Sequence, residues 1–139
     1  MLIPAVSFAA TLNAPLQALR RPVICDTDFT GLLDLDSMQS SLKHSGVGTV
    51  MYVNLYGNCV DYDRLRLYTE FFNDNLVVIE DAAQSFGASY RGRPSGSMGD
   101  ISVLSFDPTK NFNNYGSGGM VLTDDLDLAD AITNLKDNG

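Results

Sequence analysis

The chain has 139 residues, 45% of them hydrophobic, with two Cys, one His and no Trp, a composition that suits one soluble globular domain. Nine Lys and Arg against 17 Asp and Glu leave a formal net charge of −8, which disfavours nucleic acid and anionic membrane surfaces, since no basic run offsets it locally. Cys25 and Cys59 form no CxxC pair and cannot complete a zinc set with His44, so structural zinc is not expected and free thiols in a reducing cytoplasm are.

The first 19 residues carry no charge, but Pro4, Asn13, Pro15 and Gln17 interrupt the apolar stretch and nothing basic precedes it. Neither a signal peptide nor a membrane span is expected there. Residues 2–6 read as a strand and 9–19 as a helix; 22–26 is the next strand, followed by a helix at 36–43, with His44 read as a surface residue. A third strand at 49–54 leads to a helix at 62–73, which sets Leu65, Tyr68, Phe72 and Leu67, Phe71 on adjoining stripes. Strands at 76–80, 101–105 and 119–123 and a helix at 126–136 complete the pattern. Asp61 and Asp124 are positioned as helix N-caps. The acidic residues 124–130 read as a helix start, because an EF-hand would need a central Gly and a closing Glu that are absent.

Short apolar runs alternating with helical segments specify an α/β fold, a mainly parallel sheet covered by helices on both faces. Two long Gly/Ser/Asn-rich segments, 87–99 and 107–118, flank strong strands and mark loops. Gly116, Gly118 and Gly119 precede a strand, so they suit a tight turn better than a phosphate cradle, which would open a helix.

In open parallel sheets, ligands bind beyond the carboxyl ends of the strands. Ser7 and Phe8 follow the first strand, Asp81 and Gln84 follow VVIE, and Ser105 ends ISVLS with Lys110 five residues on. Three segments thus bring an aromatic face, a carboxylate, an amide, a hydroxyl and an amine to one edge. Pyridoxal phosphate needs such a set: a carboxylate for its ring nitrogen, a lysine for its aldehyde, hydroxyls for its phosphate and an aromatic cover for its ring. Each residue also has an ordinary structural reading: Asp81 as an N-cap, Ser105 as a strand-end hydroxyl, Phe8 as core, Gln84 as a partner of a backbone group and Lys110 as a surface charge.

The segments VIEDAAQSFGASYRG, GSMGDISVLSFDPTKN and GSGGMVLTDD, with the opening IPAVSFAATLNAPLQ, resemble the core of the DegT/DnrJ/EryC1/StrS sugar aminotransferases, a branch of the fold-type-I pyridoxal-phosphate enzymes. The resemblance implies that Lys110 is the Schiff-base lysine, that Asp81 pairs with the pyridinium nitrogen and that Gln84 contacts the ring hydroxyl. It likewise implies that Ser105 binds the phosphate and Phe8 stacks on the ring. Related dehydratases carry histidine in place of the lysine, so the resemblance, with Lys110 retained, implies amino transfer from glutamate or a similar donor to a nucleotide-linked keto-sugar, in a cytoplasmic enzyme that is a homodimer at full length. Asn54 stands where many members carry His, and Glu80 reads as a buried partner for a nearby donor rather than a catalytic acid.

Family members are more than twice this length. The resemblance therefore places residues 1–139 in a single partial large domain, without the family's preceding segment and its C-terminal small domain. Two other readings stand beside it: a truncated, non-catalytic interaction or regulatory module, which the missing flanks favour, and a flavodoxin-like or Rossmann nucleotide binder, which fits the strand and helix alternation but explains neither Lys110 nor EDAAQ.

Overall fold

The computed structural model describes residues 1–73 and 75–138, with the side chains of residues 44, 45, 137 and 138 left out of the description; the expectation for His44 therefore lies outside the described residues. Strand β1 (Leu2–Pro4) is followed by helix α1 (Ala9–Gln17), β2 (Val23–Cys25), α2 (Leu35–Ser45) and β3 (Thr49–Val53). A 3-10 turn (Leu55–Gly57) leads to α3 (Tyr62–Phe72) and β4 (Val77–Asp81). Short strands β5 (Ser89–Tyr90) and β6 (Arg93–Pro94) precede β7 (Ile101–Ser105), β8 (Gly119–Leu122) and α4 (Leu126–Asn138).

The main sheet has the order β2-β1-β3-β4-β7-β8. Its first four pairings are parallel, and β8 runs antiparallel to β7. From β1 the chain steps one way to β2 and then back past β1 to β3, so right-handed crossovers put α1 on one face of the sheet and α2 and α3 on the other. The side chains agree. Met38 and Leu42 of α2 and Leu65 of α3 join Leu2, Val50, Tyr52 and Val78 in one buried cluster, whereas α1 reaches the opposite face through Thr11, which contacts Asp81.

Helix boundaries follow local chemistry. Asp34 caps α2 by accepting from Ser37 N–H at 2.7 Å, and Gly46 ends it in the left-handed region, where a residue without Cβ is least strained. Helix α1 stops at Gln17, short of the expected residue 19, because Leu19 itself turns left-handed at φ 53°. Asp61 caps α3 as expected, accepting from Arg64 N–H. At α4 the expected cap Asp124 is corrected: Asp125, directly before the first helical residue, accepts from Leu128 N–H at 3.0 Å.

The β5–β6 hairpin lies within the segment read as loop. Arg91 and Gly92, both at positive φ, form its two-residue turn. Gly99 is required by close approach: a Cβ there would lie 2.4 Å from Ile101 O and 2.8 Å from Glu80 N. Cys25 and Cys59 are unpaired, and no helix among the described residues is long and apolar enough to cross a membrane.

Candidate functional site

A cleft of about 860 Å³ opens beyond the carboxyl ends of β1, β3, β4 and β7. It lies beside the β1/β3 boundary, where the sheet changes direction and adjacent connections part to opposite faces. Phe8, Asp81, Gln84, Ser105 and Lys110, the five residues singled out from the sequence, all line it.

Each is placed by a different element. Phe8 sits at the N-terminal boundary of α1 with a ring 69% exposed, so it is not a core residue. Lys110 Nζ lies 5.7 Å from the centroid of that ring. Asp81 ends β4, half-buried; its Oδ1 accepts from Ala83 N–H at 3.0 Å and its Oδ2 from Thr11 Oγ1 at 3.4 Å. Ser105 ends β7, and its Oγ accepts a 3.4 Å contact from Asp107 N–H. Gln84 Oε1 accepts from Tyr56 N–H at 3.3 Å, which leaves the amide nitrogen as the donor Gln84 can offer.

The electrostatics are uneven. Burial pushes the Asp81 carboxyl above the usual carboxylate range, opposed by the Ala83 N–H, the Lys110 charge and the Thr11 hydroxyl. Asp107 moves the other way: the Thr109 N–H and hydroxyl both donate to it and hold its carboxyl low. The lysine loop is thereby shaped by a local turn, with Lys110 N–H donating to Asp107 O at 2.9 Å. Behind it, Phe86 stacks on Phe112 at 4.5 Å and Phe106 meets both edge-on.

Thr11 was not legible as a site residue. It is 3% exposed and joins Ser7 Oγ, 2.6 Å away, to Asp81. Its only trace in the sequence is the four-residue spacing from Ser7, too common a pattern to single it out. Asn54 turns away into the interior, where its side chain bonds Glu80, Ser95 and the Val60 N–H. Glu80 is fully buried and accepts from several donors, as its reading as a buried partner anticipates. Gly119 opens antiparallel β8 and not a helix, so the glycine run is no dinucleotide-type phosphate loop.

Comparison with known proteins gives this arrangement a context. The sequence model of the DegT/DnrJ/EryC1/StrS aminotransferase family matches residues 1–139. A UDP-2-acetamido-2-deoxy-3-oxo-D-glucuronate aminotransferase of Pseudomonas aeruginosa is 34% identical over all of this chain and 38% of its own length. Among solved structures, an aminotransferase from Psychrobacter cryohalolentis superposes with a TM-score of 0.91 at 34% identity, over 99% of this chain and 35% of its own. DesV of S. venezuelae, determined in complex with a ketimine intermediate, superposes at 0.88 with 32% identity, over 97% of this chain and 36% of its own. The chain thus spans well under half the length of these relatives.

Proposed function

The chain belongs to the DegT/DnrJ/EryC1/StrS aminotransferase family, and from that premise we propose that its cleft is the cofactor end of a pyridoxal-phosphate-dependent site for amino transfer to a nucleotide-linked keto-sugar. The observation that carries this reading is the meeting of Phe8, Asp81, Gln84, Ser105 and Lys110 in one cleft. Their chemistry fits the cofactor: a partly desolvated carboxylate, a primary amine, an exposed aromatic face, an amide donor and a hydroxyl. When bound, pyridoxal phosphate supplies an electron sink that stabilises a carbanion beside the transferred nitrogen.

The protein's own groups account for the rest. Burial raises the Asp81 carboxyl above its usual range, and Asp81 would offset that cost by pairing with the protonated ring nitrogen of the cofactor. Phe8 would cover one face of the ring, Gln84 would donate to the ring hydroxyl, and the Ser105 hydroxyl would donate to the phosphate. Lys110 would hold the cofactor through its amine, and the same amine, when free, would carry a proton to and from the substrate carbon as general base and acid. The amino donor in this reading is glutamate or a similar amino acid, and the whole protein works as a homodimer.

The test is chemical trapping. The chain is incubated with pyridoxal phosphate, reduced with borohydride and mapped by mass spectrometry. A pyridoxyl group on Lys110, in preference to Lys43 and Lys136 and absent from Lys110→Ala, is the expected result. A folded chain labelled equally on all three lysines, or on none, would overturn the reading.

A further inference from the structure

Glu80 lies one residue before Asp81 on β4 and points to the opposite face of the sheet, where it is fully buried. Among the described residues no cation pairs with it. Five donors surround it instead. Oε1 accepts from Asn54 Nδ2 at 2.8 Å, Ser95 Oγ at 2.9 Å and Gly96 N–H at 2.8 Å. Oε2 accepts from Met98 N–H at 2.9 Å and Ser102 Oγ at 3.0 Å. A buried carboxylate is costly unless such donors are fixed around it, so it constrains every segment that supplies one.

Two of those segments lead to Gln84. Asn54, besides bonding Glu80, donates its backbone N–H to Asp81 O at 3.0 Å and immediately precedes the 3-10 turn. Tyr56 in that turn donates to Gln84 Oε1. By the second route, Ser95 Oγ lies 2.7 Å from Ser85 Oγ, the fully buried neighbour of Gln84 in the chain. The side-chain oxygen of Gln84 is thus held from one direction and its backbone from another, and both holds end on the same carboxylate.

We propose that Glu80 is a positioning residue of the cleft, fixing Gln84 so that its amide nitrogen faces the ligand as a donor. What that donor meets rests on the cofactor reading above; the positioning itself does not.

The experiment uses NMR on the ligand-free chain, with a parallel titration by pyridoxal phosphate. Glu80→Gln preserves shape but sets an NH2 against groups that are themselves donors. Amide exchange at Tyr56 is expected to become about tenfold faster, the loss expected for one protecting hydrogen bond, and the Gln84 side-chain signals to move, with exchange in β1 and α2 unchanged. Cofactor affinity is expected to fall about tenfold, as in Gln84→Ala, with the double variant no weaker than either single one. Unchanged Tyr56 and Gln84 signals in folded Glu80→Gln, a uniform rise in exchange across the core, or additive losses of affinity would overturn the proposal. Should the unaltered chain bind no cofactor while Tyr56 and Gln84 still respond, the cofactor reading fails and the positioning role stands. If Glu80→Gln does not fold, Ser95→Ala cuts the Ser85 route and leaves four donors on Glu80. A smaller shift of the Gln84 signals is then expected, and no shift overturns the proposal.

Discussion

Glu80 and Asp81 are adjacent carboxylates on one strand, and the sheet gives them opposite fates. Glu80 faces the interior with five donors at 2.8–3.0 Å. Asp81 faces the cleft with one backbone donor at 3.0 Å and one long hydroxyl contact at 3.4 Å. A carboxylate saturated by fixed donors organises structure, whereas one desolvated with few donors retains capacity for an incoming cation. The strand's two-residue period makes this division possible within a single dipeptide.

The largest effect that would sharpen this contrast is the loss of Glu80 altogether. Glu80→Leu strands the Gly96 and Met98 N–H groups in an apolar interior and is expected to cost about 4 kcal/mol in urea unfolding. A loss within experimental error would mean that the network does not hold the fold. Next is Gly99→Ala, which drives a methyl group into the backbone of Ile101 and Glu80. Because backbone cannot rotate aside, about 2–3 kcal/mol is expected from the same unfolding curves.

Asp81→Asn is expected to act in the opposite direction on the ligand-free chain. Burial holds the Asp81 carboxyl above its unfolded value, so as pH rises between the two the folded chain retains a proton that the unfolded chain has lost. Stability therefore falls across that window and stays lower above it. The variant flattens the slope and raises the urea midpoint at neutral pH while losing cofactor binding; a lowered midpoint would contradict the burial argument. Smallest of all is Asp36→Asn, which breaks a pair with Arg64 at the surface, where Asp36 is 74% exposed. Thermal melts should register a change below about 1 kcal/mol, showing that a carboxylate in solvent has neither role.

The strands were legible because Val50–Val53 and Val77–Ile79 are apolar runs and Ile101–Leu104 is broken only at Ser102, a pattern that survives without tertiary information. The β5–β6 hairpin was not, since two-residue strands in SYRGRP are too short for periodicity and depend on the Arg91–Gly92 turn. The shift of the α4 cap from Asp124 to Asp125 rests on a one-residue choice between equivalent side chains. At the cleft, strand ends gave the positions of Phe8, Asp81, Gln84, Ser105 and Lys110. The contact between Thr11 and Asp81 spans 70 residues and exists only once α1 crosses its face of the sheet.

Sheet order also carries a consequence in time. Strand β1 lies between β2 and β3, yet residue 50, to which Leu2 pairs, is made only after two helices have intervened. On the ribosome β1 therefore waits with one side unpaired, and refolding must close a long loop before the central pairing forms. Such non-local parallel closure belongs to the slower end of small-domain folding.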